Sequence, residues 1–358
     1  MRATSLGYRA AMVNAGTVLG TVRGLTMRGL FALPRPVRRR LAGPPVVRRG
    51  RTLDLDMQLL LRLMRLEGPP AESLPISKGR RAIVASSRLA GGDPSIGAVT
   101  DRTIDGPGGP LRLRFYTPEG LRGRSPALVF LHGGGWIYGD LESHDALCRV
   151  LAEEAQVRVV AVDYRLGPEH KFPAAPDDVW AAWTWVNEHA TGLGIDPDRI
   201  AVGGDSAGGN LSAIVAQQAV REGGPSPAFQ LLIYPATDFS EARPSRTEFA
   251  EGFFLTKQFM DVAEENYLVG DEDRTDPRLS PLLHDLAGVA PAYVVTAGFD
   301  PLHDEGEAFA DALRDAGVPV EHVCEEGLIH GFANMIVIGR AAPRAIKRMA
   351  AALQRGLS

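Results

Sequence analysis

From about residue 99 to the end of the chain, short apolar segments rich in β-branched residues alternate with segments of helical periodicity. Strands that are apolar throughout are typical of sheets covered by helices on both faces. The alternation therefore predicts an α/β domain whose sheet is mainly parallel and begins with an antiparallel hairpin. The predicted strands are 99–104 and 111–116 (the hairpin), 127–131, 157–163, 200–203, 229–234, 292–297 and 318–323; the predicted helices are 142–155, 176–190, 206–221, 304–316 and 341–355.

The alternation fails between residues 234 and 292. This stretch contains polar residues, a helical pattern over Thr256–Tyr267 and an acidic loop over Gly270–Asp276. An insertion of this size predicts a lid or cap, which we assign to residues 239–283. Ligands of open α/β sheets bind at the carboxyl ends of the strands, so we expect the cap to lie over that edge.

Residues 1–98 lack the strand and helix alternation, and we interpret them as an N-terminal arm and cap segment that precedes an α/β domain of residues 99–358. The prolines and glycines of residues 33–45 predict a linker, because proline interrupts helices. A helix is predicted over residues 52–66, with Thr52 or Asp54 as its N-cap. Residues 70–98 show no clear period.

Charge is distributed unevenly along the chain. The first 53 residues contain eleven arginines and no Asp, Glu or Lys, so they carry +11; because the whole chain carries −4, the remainder carries −15. A net negative charge argues against nucleic-acid binding. No apolar stretch approaches the ~18 residues of a membrane span, and two cysteines fit a reducing compartment. We therefore expect a cytoplasmic protein.

The arginine-rich arm is open to three interpretations. A secretory signal is disfavoured, because Arg23 and Arg28 interrupt the apolar stretch. A helix on a membrane surface is favoured by Arg2 and Arg9, which share one helical face with Arg23, but frequent glycines weaken such a helix. The third interpretation is a partly helical arm that docks on the acidic body of the protein. Peripheral membrane contact and docking both remain open.

Residues Gly204–Gly208 match the pattern G-x-S-x-G. They follow a predicted strand and open a predicted helix, as a nucleophile elbow requires. Ser206 in such a turn is held in a strained conformation, and the start of the helix favours negative charge beside it. The alternative is a glycine-rich turn whose serine caps the helix.

A second glycine-rich loop, His132–Gly135, follows the predicted strand 127–131. Its glycines let backbone N–H groups turn toward a substrate oxygen, and we expect those of Gly134, Gly135 and Ala207 to form an oxyanion hole. A phosphate-binding loop is disfavoured, because no Lys or Ser/Thr follows at the required spacing. His132 is expected to orient the loop rather than to act as a base.

A nucleophilic serine needs a base, and the base needs a carboxylate that orients it. Asp300 follows the predicted strand 292–297, and His330 follows the last predicted strand. Both therefore lie at the edge of the sheet where Ser206 is expected, in the chain order serine, acid, histidine. Asp300 could instead cap a helix. The competing acids are Asp304 and Glu305, and the competing bases are His303 and His322.

Metal and dinucleotide chemistry are disfavoured, so we expect no metal and no cofactor. The sequence has no H-x-x-x-H or C-x-x-C pair. Residues 203–208 superficially match G-x-G-x-x-G, but they follow a strand deep in the sheet order rather than the first strand.

Taken together, these motifs resemble the hormone-sensitive-lipase family of α/β-hydrolases, which includes bacterial esterases. The resemblance extends from about residue 99 to the end of the chain. It implies the α/β-hydrolase fold: a mostly parallel, eight-stranded sheet with helices on both faces and a helical cap. The motifs that carry it are His132–Gly135, Asp163–His170, Gly204–Gly209, Asp300–Leu302 and His330–Phe332.

The resemblance also implies a function. A serine carboxylesterase would hydrolyse short- to medium-chain esters through an acyl-enzyme, with Ser206, His330 and Asp300 as its triad and a small-molecule ester as its partner. One alternative is a lipase that acts on aggregated lipid, and another is a non-catalytic receptor. Plant gibberellin receptors resemble the same family but have lost the catalytic histidine, whereas His330 is present here. Homodimers through the last strand and helix are a further implication.

Overall fold

A computed structural model describes residues 29–66 and 68–358, so the predictions for residues 1–28 lie outside the described chain. A short hairpin, β1 Val47–Arg48 and β2 Arg51–Thr52, stands apart from the main sheet. The strands of the main sheet are β3 Ala98–Gly106, β4 Gly109–Thr117, β5 Ser125–Leu131, β6 Arg158–Asp163, β7 Ile195–Asp205, β8 Phe229–Ile233, β9 Ala292–Phe299 and β10 Val320–Ile329. These eight strands lie in the order β10-β9-β8-β7-β5-β6-β4-β3.

The predicted mainly parallel sheet of eight strands is confirmed. β3 and β4 form the antiparallel hairpin, with Ala98 opposite Thr117, and β4 is antiparallel to β6. The strands from β5 and β6 through to β10 pair in parallel. β10 ends the sheet on the side that the resemblance assigns to a dimer contact, and dimer formation stays a prediction.

Helices cover both faces of the sheet, and alternate residues of β5 show how the core divides. The helix bounds are α1 Arg35–Ala42, α2 Leu55–Met64, α3 Ile76–Gly91, α4 Asp145–Ala155, α5 Ala174–His189, α6 Ala207–Glu222, α7 Pro244–Glu248, α8 Lys257–Tyr267, α9 His303–Asp315 and α10 Ala341–Gly356. Leu128 and Phe130 point into one apolar cluster, with side chains of α4 and α10, whereas Val129 and Leu131 point into another, with side chains of α5 and α6. None of the described helices has the length and hydropathy needed to cross a bilayer.

Two predictions for the N-terminal region are wrong. The predicted linker over 33–45 contains α1, because Pro36 lies in the first turn, where a helix does not use the backbone N–H. α3 lies where no period was detected. Its glycine and serine content gives it low intrinsic helix propensity, but Gly79 allows close packing: a β-carbon there would lie 2.8 Å from the ring of Tyr138.

The described part of the arm docks on the acidic body of the protein. Arg38 forms an ion pair with Asp56, and Arg49 pairs with Glu248 and Asp304. α2 begins at the predicted cap, since Asp54 accepts hydrogen bonds from the backbone N–H groups at 56 and 57. The docking interpretation therefore holds for Arg38 and Arg49.

The segment between β8 and β9 contains α7 and α8. α8 lies against the loop after β5, since a β-carbon at Gly135 would come within 2.8 Å of Ala263 and 3.1 Å of Phe259. This segment therefore lies over the carboxyl ends of the central strands.

We expect α2 to contribute to global stability as part of the main core. Met57 is fully buried, whereas Met64 on the same helix is 37% exposed. Met57→Ala should lower the free energy of unfolding by about 2–5 kcal/mol, because it leaves a cavity, and Met64→Ala by under about 1 kcal/mol. Both replacements change helix propensity equally. Equal losses in urea denaturation would show that α2 is not packed in this way.

Candidate active site

The turn between β7 and α6 holds Ser206 in a strained conformation. Its φ is +56° and its ψ −117°, a region that residues with a side chain rarely adopt. β-Carbons at Gly204 or Gly208 would collide with the carbonyl oxygen of Leu131, so glycine at both positions lets the helix approach β5 closely. This geometry is that of a nucleophile elbow, as predicted for residues 204–208.

The structure brings Ser206, His330 and Asp300 together. His330 Nε2 lies 2.9 Å from Ser206 Oγ, and His330 Nδ1 lies 2.7 Å from Asp300 Oδ2. Because a carboxylate only accepts, Nδ1 donates to Asp300 and Nε2 accepts from the serine hydroxyl. Asp300 is fully buried, and its other oxygen accepts from the backbone N–H of Leu302 at 2.8 Å.

The competing acids and bases form other contacts. Asp304 pairs with Arg49, and Glu305 pairs with Arg246. His303 lies 3.2 Å from Glu307, and His322 lies 3.1 Å from the hydroxyl of Thr296.

The loop after β5 is shaped by positive φ angles at Gly134 and Gly135, +122° and +61°. Among the described residues, the N–H groups of these glycines and of Ala207 donate no hydrogen bond, whereas that of Gly133 donates to Asp205 at 2.8 Å. Three N–H groups thus remain available near Ser206, as an oxyanion hole requires.

The buried side chain of His132 contacts this loop and helps to hold its shape. Its Nδ1 donates to the carbonyl oxygen of Gly133 at 2.9 Å, and its ring stacks on Tyr164 at 4.3 Å. The hydroxyl of Tyr164 donates to the His132 carbonyl oxygen at 2.6 Å. Burial, and secondarily the nearby His144, lowers the pKa of His132 to about 4, so the ring is neutral near pH 7.

Sequence reasoning missed two residues that hold the site. Asp205 accepts from Gly133 N–H; its burial raises the pKa, but His144 and this hydrogen bond outweigh burial, so the pKa lies below its ordinary value. Arg80, on the unpredicted α3, donates to the carbonyl oxygens of Ile137 and Gly167 at 2.8 and 2.7 Å. The position of Asp205 inside the motif Gly204–Gly208 could have indicated its role, whereas nothing in the sequence indicates a role for Arg80.

A pocket of about 430 Å³, including its open mouth, begins at Ser206 and Gly135. Most of its wall is apolar, but two charged side chains also line it, Arg246 and Glu264. The apolar lining consists of Trp136, Ala236, Phe239, Leu255, Phe259, Met260, Ala263 and Leu302.

One group of described residues, His303, Glu307 and Cys324, brings three potential metal ligands within 4.8 Å. Arg51 Nη1 lies 2.7 Å from His303 Nε2. Since a guanidinium only donates, it takes the lone pair that a metal would need. Arg51 therefore competes with a metal ion for Nε2 of His303.

Comparison with known proteins assigns the family. The sequence profile of the α/β-hydrolase fold matches residues 128–334. The chain is 45% identical to the carboxylic ester hydrolase LipN of Mycobacterium tuberculosis, over 95% of this chain and 93% of that protein. This chain belongs to the hormone-sensitive-lipase-type esterases of the α/β-hydrolase fold. It is also 41% identical to an ethyl acetate hydrolase of Pseudomonas putida, over 80% of this chain and 92% of that protein.

Solved structures of similar enzymes extend the assignment to this esterase's fold. A thermostable esterase from Pseudomonas putida is 36% identical and superposes with a TM-score of 0.82, over 86% of this chain and 98% of its own. An α/β-hydrolase from the metagenome of Lake Arreo is 43% identical, with a TM-score of 0.83, over 85% and 98%. The esterase is thus an ester-hydrolysing enzyme, as the sequence motifs predict.

The buried His132 predicts an acid-sensitive stability. Because its pKa of about 4 lies below the ordinary 6.5, the unfolded chain binds a proton between these values that the folded chain does not. Stability from this residue is therefore present above pH 6.5 and falls with falling pH, by about 2 kcal/mol between pH 7 and pH 5.

Urea unfolding of His132→Asn at pH 5 and pH 7 should show a correspondingly smaller difference than wild type. The exposed His189 provides a control, since His189→Asn should retain the wild-type difference. An unchanged pH dependence in His132→Asn would contradict the assignment of this loss to His132.

Proposed function

We propose that this esterase is a serine carboxylesterase that acts on short- to medium-chain esters through an acyl-enzyme. The observation that carries the proposal is the continuous hydrogen-bonded chain from Ser206 through His330 to Asp300, at 2.9 and 2.7 Å. Ser206 is the nucleophile, His330 the general base, and Asp300 the carboxylate that orients the imidazole.

In the proposed first half-reaction, Ser206 Oγ attacks the ester carbonyl while its proton moves to His330 Nε2. The carbonyl oxygen becomes an oxyanion, which the N–H groups of Gly134, Gly135 and Ala207 stabilise. His330 then gives the proton to the leaving alcohol as the carbon–oxygen bond breaks. Water, deprotonated by His330, attacks the acyl-enzyme in the second half and releases the acid.

The pocket supports the proposed range of chain lengths. Its wall beside Ser206 is apolar, so it favours an alkyl chain over a charged one. α8 contributes Phe259 and Met260 to that wall and lies across the loop that carries Gly135. We therefore expect the space beside α8 to favour a short chain over a long one.

The triad assignment is tested with p-nitrophenyl acetate, butyrate and laurate. Ser206→Ala and His330→Asn should each lower kcat by about 10⁴ or more on the two shorter esters, and Asp300→Asn by about 10⁴, because each removes part of one proton-transfer unit. We expect laurate to be the poorest substrate of the wild type. A preference for laurate would favour a lipase instead.

His322→Asn is the matched control for His330→Asn, since His322 was the alternative base and contacts Thr296. It should retain most of the activity. A fluorophosphonate probe should label the wild type at Ser206 and leave Ser206→Ala unlabelled. An unlabelled wild type would favour a receptor, and full activity in Ser206→Ala would refute the assignment.

We also propose that the arm contacts anionic membrane surfaces through α1 and β1. This face combines exposed apolar and cationic side chains: Val37, Leu41 and Val47 are 43%, 41% and 49% exposed. The exposed arginines at 35, 39, 40 and 48 form no ion pair with another described residue. Because residues 1–28 contain no acidic residue, they cannot neutralise these charges. Apolar side chains among arginines are typical of surfaces that bind anionic lipid.

Vesicle cosedimentation tests this contact. Replacing Arg35, Arg39 and Arg40 together by Gln should lower partitioning onto phosphatidylserine-containing vesicles about a hundredfold, at about 1 kcal/mol for each charge. Neither the wild type nor this triple variant should bind phosphatidylcholine vesicles strongly. The control removes three exposed charges elsewhere, with Gln at Arg122, Arg124 and Arg344. Equal partitioning of the two triple variants would exclude this face.

A further inference from the structure

Two oppositely charged side chains of the active-site pocket lie close together without a hydrogen bond between them. Arg246 Nη1 and Glu264 Oε1 are 3.7 Å apart, which is too far for a hydrogen bond. Both side chains line the same pocket as Ser206 and Gly135. A polar pair therefore faces the space into which part of a bound ester would extend.

The other polar atoms of this pair are held firmly. Arg246 Nε donates to Glu305 at 2.9 Å, and Arg246 Nη2 donates to the carbonyl oxygen of Asp238 at 3.0 Å. Glu305 is fully buried and also accepts from the backbone N–H of Thr237 at 2.8 Å. The guanidinium is thus anchored from behind, with Nη1 as its unengaged end among the described residues.

Glu264 is oriented in the same way. Its Oε2 accepts a hydrogen bond from Arg274 Nη1 at 2.9 Å, so Oε1 is the oxygen that lies nearer to Arg246. Arg274 is in turn positioned by a hydrogen bond to the carbonyl oxygen of Phe239 at 3.2 Å. The pocket consequently presents one fixed donor and one fixed acceptor, side by side.

The chemistry of these two atoms selects among possible substituents. An alkyl end would leave both without a partner, which is costly in a pocket. A carboxylate would lie against Glu264, and an ammonium would lie against Arg246. A hydroxyl both accepts and donates, and its oxygen can lie about 2.8 Å from two atoms that are 3.7 Å apart.

We propose that Arg246 and Glu264 form a hydroxyl-binding subsite, and that the preferred substrates are esters with a hydroxyl group distal to the ester bond. The hydroxyl accepts from Arg246 Nη1 and donates to Glu264 Oε1. This inference rests on the proposed function, because it needs the scissile ester at Ser206. The separation of Ser206 from the pair sets the distance between ester and hydroxyl.

The experiment compares hydroxylated esters with unsubstituted esters of equal length. One series is ethyl esters of ω-hydroxy acids, and the other is monoacetates of linear diols, so that the two series distinguish a hydroxyl on the acyl side from one on the alcohol side. In one series, and near one chain length, the hydroxyl should raise kcat/KM about tenfold, as two hydrogen bonds at a desolvated site provide. If the hydroxyl raises kcat/KM in neither series, the proposal is overturned.

Variants assign the preference to the pair. Glu264→Leu should abolish the preference in kcat/KM for the hydroxylated over the unsubstituted ester. Glu264→Gln should retain part of this preference, because the amide oxygen still accepts a hydrogen bond. The control is Asp261→Asn on the exposed face of the same helix, where Asp261 pairs with Lys257; it should keep the wild-type ratio. A wild-type ratio in Glu264→Leu would contradict the subsite.

The proposed function and this inference fail differently. Wild-type hydrolysis of p-nitrophenyl butyrate that is lost in Ser206→Ala establishes the esterase site independently of any hydroxyl. If that activity is present and the hydroxyl preference is absent, only the subsite is refuted. If an ester with a terminal carboxylate is preferred over the hydroxylated one, Arg246 acts as a simple anion site and the proposed hydroxyl bridge is wrong.

Discussion

The tight turn between β7 and α6 is the constraint on which the rest of the site depends. It holds Ser206 at positive φ and brings the first turn of α6 against the end of β5, with Gly208 beside the carbonyl oxygen of Leu131. The same approach places Asp205 within 2.8 Å of Gly133 N–H. One turn therefore positions both the proposed nucleophile and the loop that carries Gly134 and Gly135, so strain at the serine is coupled to the geometry of the proposed oxyanion hole.

The parallel sheet explains why the other catalytic candidates meet there. β9 ends at Phe299 and β10 at Ile329, so Asp300 and His330 leave the sheet at neighbouring positions of one edge. One further contact orients each side chain: the N–H of Leu302 donates to the Asp300 carboxylate, and the ring of Tyr234 lies 4.5 Å from the His330 imidazole. Residues far apart in sequence are thus brought to one edge of the sheet by strand order.

Ion pairs connect the N-terminal region to helices at the same edge of the sheet. Arg49 joins α7, through Glu248, to the start of α9, through Asp304, and α9 follows the loop that holds Asp300. Arg38 and Arg49 are thus engaged with acidic residues, whereas Arg35, Arg39, Arg40 and Arg48 lie exposed without an ion pair to another described residue. An arm that is uniformly basic in sequence divides into a structural part and a surface part.

The sequence by itself determined the sheet, the serine turn and the residues at the strand ends, because strand periodicity and glycine-rich turns are local signals. It missed α3, because that helix depends on packing contacts such as that of Gly79 with Tyr138 rather than on intrinsic propensity. It misjudged residues 33–45, because proline in the first turn does not interrupt a helix. Only the tertiary structure decided that Arg80 supports the loop after β5, and that Arg246 and Glu264 face one pocket. Such contacts join residues 18 to 87 positions apart, and no local pattern encodes which of many arginines will meet a given carbonyl or carboxylate.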